Sequence, residues 1–301
     1  MPTIPFDDRD GWIWWNGDFV PWREARPHLL SHGLHYASAV FEGERAYGGH
    51  VFRLRDHTDR LLASARILGF EIPWTAEAID DACRETLRRN GLHDAYLRPI
   101  AWRGSEEMGV AARGTKINMA IAAWEWGAYF GDGNRLRGVR LDMADWRRPS
   151  PETAPTAAKA TGLYMIGTLS KHAALDRGYD DALMLDWKGD VAEATGANVF
   201  LAIDGALHTP TPVGFLDGIT RRSVMALARR RQIPVVERTI PPADIARATE
   251  VFLAGTAAEV TPVREIAGHG SFTPGALTET LMRDFAEVVR LPPEAAAQRL
   301  A

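Results

Sequence analysis

The sequence predicts an α/β (α+β) protein built from two mixed halves, the second richer in antiparallel hairpins, and three observations carry that expectation. A length of 301 residues suits two domains of ordinary size. Apolar patterns of strand and helix type alternate through the first half. Tight-turn pairs of the Asn-Gly, Lys-Gly and Asp-Gly kind recur between apolar runs, two of them after residue 180.

Taken in order, WIWWNGDFVPW reads as a hairpin turning at Asn16-Gly17, a pair that tolerates the positive φ such a turn needs. RDHTDRLLASARILGF reads as a helix with Asp56 as N-cap, an apolar set at Leu61, Leu62, Ala65 and Leu68, and Gly69 as its stop. TAEAIDDACRETLRRNG repeats the pattern from Thr75 to Asn90-Gly91, and AYLRPIAWR and INMAIAAWEW read as strands. The Gly- and Arg-rich GAYFGDGNRLRG is the linker candidate. It divides the chain into an N-terminal domain 1–127, a linker 128–138 and a C-terminal domain 139–301. Beyond it come a strand VRLDMADW, the segment PETAPTAAKATGLY and a helix ending near Arg177-Gly178. DALMLDWKGDVAEA and ANVFLAIDGALHTP read as hairpins around Lys188-Gly189 and Asp204-Gly205. A helix from Thr220, strands PVVER and EVFLAGT, and a last helix from about Leu277 complete the reading.

Composition narrows the function. A net charge of −4 provides no basic footprint for nucleic acid. No segment approaches the roughly 20 apolar residues of a membrane span, and the acidic start MPTIPFDDRD does not resemble a signal peptide. The single cysteine, Cys83, excludes an internal disulfide, and a cytoplasmic protein is expected. His32 and His35 stand three apart, but no Cys, Asp or Glu cluster completes a metal site, so both are expected to pack or hydrogen-bond. GVAARGTK has its Thr and Lys in the wrong order for a phosphate-binding loop and precedes a strand.

Lys159 stands apart. Only four of the 35 basic residues are lysines, and this one lies among alanines and threonines. A lysine in poorly solvating surroundings can lose its proton and become a nucleophile, which an arginine cannot easily do. A lysine that forms a Schiff base needs an aldehyde, and the usual protein-bound one is pyridoxal 5′-phosphate. That cofactor asks for a carboxylate at its ring nitrogen, a phosphate site and a hydroxyl near its ring oxygen. Glu193 in VAEATGANVF, Gly218-Ile219-Thr220 and Gly255-Thr256-Ala257-Ala258 could meet such demands. Each also reads as an exposed strand glutamate, an N-cap or a turn, and spacing alone does not decide.

The stretches SHGLHYASAVFEGERAY, FRLRDHTDRLLASA, AYLRP, PTAAKATGLY, DVAEATGANVF, GITRRSVMALA and GTAAEVTPV resemble, in order, the motifs of branched-chain amino acid aminotransferases, class IV (fold type IV) pyridoxal-phosphate enzymes. The resemblance runs from about residue 11 to about residue 290. It implies the two-domain class IV aminotransferase fold, with a mixed-sheet N-terminal domain and a hairpin-rich C-terminal pseudo-barrel. It also implies transamination between L-branched-chain or similar aliphatic amino acids and 2-oxoglutarate, in a homodimer or higher homo-oligomer. Lys159 would carry the cofactor and shuttle the proton. Glu193 would pair with the ring nitrogen and Tyr164 with the ring oxygen, while Arg60, Ile219, Thr220 and Thr256 would hold the phosphate. Leu216 would pack on the ring, and Gly196 and Asn198 would shape the wall beside it. Tyr36, Phe41, Val110, Trp126 and Tyr129 match an apolar side-chain pocket, some of them contributed by a neighbouring subunit. Tyr96, Thr256 and Ala257 match the α-carboxylate site, and Arg98, helped by Arg45, matches the receiver of the γ-carboxylate of glutamate.

The chain departs from that pattern in two places. Glu44 replaces a β-branched apolar residue, and Trp102, Arg103 and Glu106-Glu107 replace smaller or more apolar ones. Glu44 is expected to pair with an arginine such as Arg103 on an adjacent strand; facing the pocket instead, it would change substrate preference. Rival readings are a D-amino acid or amine transaminase or an aminodeoxychorismate lyase on the same scaffold, and a catalytically idle cofactor-binding protein.

Overall fold

The computed structural model describes residues 4–127 and 137–301. The chain divides into two compact units, Met1–Trp126 with Ala158–Gly162, and Gly127–Ala157 with Leu163–Ala301.

The first unit contains strands β1 (Trp12–Trp15) and β2 (Asp18–Pro21), helix α1 (His32–Tyr36), strands β3 (Ala39–Phe41), β4 (Glu44–Tyr47) and β5 (His50–Val51), helices α2 (Leu54–Ile67) and α3 (Ala76–Arg89), and strands β6 (Ala95–Arg103) and β7 (Ile117–Glu125). They form one sheet in the order β2-β1-β7-β6-β4-β5, with β3 also paired to β6. Every described pairing in it is antiparallel. The mixing of strand directions expected here is found in the second unit instead. The β1–β2 turn forms at Asn16-Gly17, where both residues take positive φ (51° and 105°). Thr75 caps α3, its Oγ1 accepting the Ala78 N–H at 3.2 Å. Asp56 does not cap α2. Arg53 takes the positive φ at the helix start, and its guanidinium draws the Asp56 carboxylate into an ion pair at 2.8 and 2.9 Å.

Strands β3 and β4 went unread in the sequence, and they are one strand in two pieces. Phe41 pairs with Ile100 and Glu44 with Leu97, a single uninterrupted register along β6. Glu42 falls opposite Pro99, which has no N–H to donate, so the ladder thins there although the Glu42 N–H still reaches the Pro99 carbonyl at 2.8 Å. Strand alternation therefore continues through residues 39–46 and sorts them onto two faces. Val40 and Ala46 join the core under α2 and α3 with Leu61, Ala65, Ile79, Cys83 and Leu97. Ala39 joins the opposite face with Trp22, Trp102, Ile100 and Trp124.

The lysine segment, expected with the C-terminal domain, packs in this first unit. Ala160 bridges to Val40, and the Phe41 N–H donates to the Lys159 carbonyl at 3.1 Å. The Lys159 N–H donates to Ser64 Oγ at 3.0 Å, and Thr161 Oγ1 donates to the carbonyls of Ala37 and Ala39.

The second unit contains β8 (Val139–Met143), α4 (Met165–Asp176), β9 (Asp181–Leu185), β10 (Val191–Ala194), β11 (Asn198–Ile203), β12 (Ala206–Pro210), α5 (Ile219–Arg230), β13 (Val235–Arg238), β14 (Glu250–Gly255), β15 (Glu259–Ile266), β16 (Gly270–Ser271), α6 (Ala276–Val288) and α7 (Pro293–Leu300). The sheet runs β10-β9-β8-β15-β14-β11-β12-β13, and β10 also pairs with β11, so β8, β9, β10, β11, β14 and β15 close into a ring. This is the pseudo-barrel the resemblance implies. Its closing pair is Glu193 with Asn198. The hairpins at Lys188-Gly189 and Asp204-Gly205 form as read, whereas the final helix α7 has no counterpart in the sequence reading.

Candidate active site

On one face of the first sheet, odd-numbered positions of β3–β4 meet even-numbered positions of β6 and β7. Phe41 is the centre of this face. The Lys159 Nζ and the Arg98 guanidinium carbon each lie 4.7 Å from its ring centroid. Arg98 Nη2 donates to the Tyr96 hydroxyl at 3.2 Å, and Arg98 Nε is buried with no hydrogen-bond partner among the described residues. The Tyr96 hydroxyl lies against Gly43, where any side chain would collide with it, so glycine is required for this close approach. Arg45, paired with Tyr96 across the strands, lies over the Tyr47 ring at 4.9 Å. Trp124 and Trp126 wall the far side, their rings 5.2 and 4.9 Å from Tyr96. Trp124 was not singled out in the sequence; its alternation partner Trp126 was, and the spacing of two carried the signal.

Tyr36 and Val110 are exposed, at 45% and 85%. His32 links their two segments, stacking on Tyr36 at 4.5 Å while its Nε2 donates to the Gly109 carbonyl at 2.9 Å and its Nδ1 meets Ser38 Oγ. His35 Nε2 lies 3.0 Å from the Leu29 carbonyl. The two histidines are hydrogen-bonding residues, as expected. Tyr129 lies outside the described residues.

The opposite face, under α2 and α3, holds acids. Glu42 is fully buried, its carboxylate accepting from Arg60 Nε and Nη2 at 2.7 and 2.8 Å and from His57 Nδ1 at 2.7 Å. Burial pushes its proton affinity up, but the Arg60 charge and the hydrogen bonds from Arg60 and His57 outweigh this and hold the carboxyl far below its usual range. Burial, against the pull of Glu42, lowers the His57 imidazole below its ordinary value. Since an ionised carboxylate only accepts, the neutral His57 carries its proton on Nδ1. Neither Glu42 nor His57 was picked out in the sequence, although His57 and Arg60, three apart on a helix, share one side of it.

Glu44 does not pair with Arg103. That guanidinium donates to the carbonyls of Ala112 and Gly69 and lies over Phe70, while Glu44, opposite Leu97, points into the helix-covered core. There it meets the Cys83 thiol, and its Oε2 has no partner among the described residues. Burial first, and then the Glu42 charge, hold this carboxyl well above its usual range. Strand parity explains the outcome: position 44 shares a face with 42, away from Tyr96 and Arg98. The other departures are structural. Trp102 is buried against Trp15, and Glu106 and Glu107 accept the backbone N–H groups of Lys116 and Gly114.

In the second unit, Glu193 and Asn198 face each other across β10 and β11, with Asn198 Nδ2 donating to Glu193 Oε2 at 3.4 Å and to the Leu216 carbonyl at 3.1 Å. Buried Arg148, which no sequence signal marked, lies 3.4 Å from Glu193 Oε1. A side chain at Gly196 would meet open space, whereas one at Gly218 would strike Asn198 Oδ1. Gly218 caps α5, whose first residues Ile219 and Thr220 are buried. Thr256 and Ala257 form the β14–β15 turn, where Gly255 approaches Ala197 closely. Half-buried Tyr164 opens α4, and that helix meets the Glu193–Asn198 turn through Gly167, a Cβ at which would lie 3.1 Å from the Thr195 carbonyl.

Residues 39–266 match the family described as Amino-transferase class IV. The branched-chain-amino-acid aminotransferase of Pseudomonas aeruginosa is 42% identical over 297 residues, 97% of each chain. The crystal structure of the Escherichia coli branched-chain amino acid aminotransferase superposes with a TM-score of 0.90 at 38% identity, over 93% of this chain and 94% of that one. The branched-chain amino acid aminotransferase of Thermobaculum terrenum in its PLP form gives a TM-score of 0.86 at 32% identity, over 93% and 94%.

Proposed function

The chain belongs to the class IV aminotransferase family, and from that premise we propose that it moves an amino group between L-branched-chain or similar aliphatic amino acids and 2-oxoglutarate, with pyridoxal 5′-phosphate as cofactor. The relatives named above act on branched-chain amino acids, and one of them is a PLP form. The residues present suit that cofactor. The first unit offers a half-buried amine at Lys159 and a guanidinium at Arg60. The second offers the Glu193 carboxylate braced by Asn198, and a wall left bare at Gly196.

Lys159 and Arg60, together with Tyr164, Glu193, Gly196, Asn198, Leu216, Ile219, Thr220 and Thr256, are the residues that would hold the group. When bound, it supplies an aldehyde to which amines attach and a ring that withdraws electrons from the substrate's α-carbon. Glu193 would keep a proton on the ring nitrogen by offering an anionic acceptor. Arg60, Thr220 and Thr256, with the start of α5, would neutralise and bind the phosphate. The Lys159 amine would take and return the proton at the substrate's α-carbon. Tyr96, Thr256 and Ala257 would receive the α-carboxylate.

The observation that carries the substrate reading is the Phe41 ring flanked at 4.7 Å by both Lys159 and Arg98. An amine and a carboxylate binder share one apolar surface. An aliphatic side chain would use the rings of Phe41, Tyr96 and Trp126, and the γ-carboxylate of glutamate would use Arg98, with Arg45 nearby. A panel of L- and D-amino acids and simple amines, each offered with 2-oxoglutarate, tests this reading. L-leucine, L-isoleucine and L-valine should lead it. A preference for D-donors or amines would transfer the chain to a rival reading, and a protein that borohydride leaves unmodified at Lys159 would be catalytically idle.

We place the protein in the cytoplasm as a homodimer or higher homo-oligomer. Light scattering of the purified protein checks the oligomeric state. Among the described residues no helix is long and apolar enough to cross a membrane.

A further inference from the structure

The helix-covered face of the first sheet contains a sealed anion that none of the roles above uses. Glu42 lies between two neighbours on α2, and both donate hydrogen bonds to it. Arg60 gives it two parallel bonds, Nε to Oε1 and Nη2 to Oε2, the fork geometry in which a guanidinium has one orientation. Its remaining N–H groups belong to the opposite edge, so the carboxylate decides where that edge points. The carboxylate itself cannot swing. His57 Nδ1 and the Gly43 N–H both donate to Oε2, and the Glu42 backbone is tied to Pro99. Since His57 is neutral, it braces the carboxylate without competing for its charge, and the cluster holds one anion and one cation.

We propose that Glu42 is a positioning residue for the cofactor: by occupying the Nε edge of Arg60 it presents the opposite edge to the phosphate, with His57 as its brace. This rests on the assignment of Arg60 to the phosphate. It differs from a structural role in one respect. A carboxylate that only stabilises the fold would serve every ligand alike, whereas an aiming carboxylate matters only to ligands that carry a phosphate.

The experiment compares equilibrium binding of pyridoxal 5′-phosphate and of pyridoxal, which lacks the phosphate, to the full-length protein stripped of cofactor. Glu42→Gln keeps the shape and removes the charge. Its affinity for the phosphorylated form should drop about tenfold or more, the loss expected for a charged hydrogen-bonded partner. Its affinity for pyridoxal should stay within about twofold. Arg60→Met should lose the phosphate preference, and adding Glu42→Gln to it should cost nothing further, because the two act through one contact. Equal losses for both ligands in Glu42→Gln, or none, overturn the positioning role while leaving Arg60 in place. A full phosphate preference in Arg60→Met removes the Arg60 assignment, and the inference with it. Should Glu42→Gln fail to fold, Arg60→Lys decides: it keeps the charge but cannot form the fork, so retention of the full preference overturns the proposal and a tenfold loss supports it.

Discussion

The two faces of the first sheet handle charge in opposite ways. On the helix-covered face three acids are buried, Glu42, Glu44 and Asp80, beside the His57 imidazole and the Arg60 guanidinium. Glu42 is ionised and matched by Arg60, while Asp80 is held by Thr58 and Arg55. Glu44 is kept neutral. On the other face the ionisable groups are cations lying over aromatic rings: Arg45 over Tyr47, Arg98 over Phe41 and Tyr96, Lys159 over Phe41. A ring attracts a cation without neutralising it. Acids buried against basic partners build a scaffold, whereas the arginines over rings keep a charge that would serve an anionic group of a substrate. One strand supplies both, because alternation sends residues 42 and 44 one way and 41 and 45 the other.

If that division is right, the largest loss of activity comes from the cationic face at no cost in stability. Lys159→Ala should lower transamination by about four decades, the upper range for losing a positioned proton-transfer group. Its thermal midpoint should stay within a few degrees, since Lys159 is half-buried and its backbone, not its side chain, holds Ser64. Turnover close to that of the parent would break the comparison at its centre.

Arg98→Met is the next largest. The guanidinium stacked on Phe41 would serve glutamate and not leucine, so the half-reaction with glutamate should slow by roughly one to two decades, or about 1.5–3 kcal/mol. The leucine half-reaction should change little, since methionine preserves an apolar wall. Single-turnover kinetics with each donor measures the ratio. Equal losses would mean that Arg98 supports the face rather than reading the substrate.

How much of this could be read in the chain differs between the faces. Helices α2 and α3 and the three glycine-containing tight turns were legible, because local periodicity and positive φ are properties of neighbouring residues. The proposed cofactor residues could be named only through the ordered motifs. Strands β3 and β4 were hidden, since AVFEGERAY buries glutamates at two alternate positions and so inverts the polar-outward rule that reveals half-buried strands. The docking of Lys159 on Ser64 and Phe41 joins residues about a hundred apart and left no local trace. Glu44 shows the same limit. Its motif was visible, but which face of the strand looks toward α3 is a tertiary fact, and pairing with Arg103 was expected where a core site is found.

Glu44 provides the smallest and most specific prediction. Its carboxyl is surrounded by Glu42 on its own strand segment, Arg60 on α2, and Asp80 and Cys83 on α3. Burial and the Glu42 charge raise its folded-state value well above the ordinary 4.5. Between those two values the unfolded chain has released the proton and the native one has not. Native protein therefore binds more protons, and stability must fall as pH rises from about 4.5, by up to about 1.4 kcal/mol per pH unit from this group. Glu44→Gln keeps the shape and removes the titration. Relative to the parent it should gain stability steadily from pH 5 to pH 8, as read from urea midpoints. Because Glu44 faces away from Arg98, the same change should leave the ratio of glutamate to leucine use where it was. A stability gap that does not vary with pH would show that Glu44 is not a neutral buried acid. A shifted donor ratio would show that the two faces communicate, and the division between scaffold and substrate face would then fail at the residue where this chain departs from its relatives' pattern.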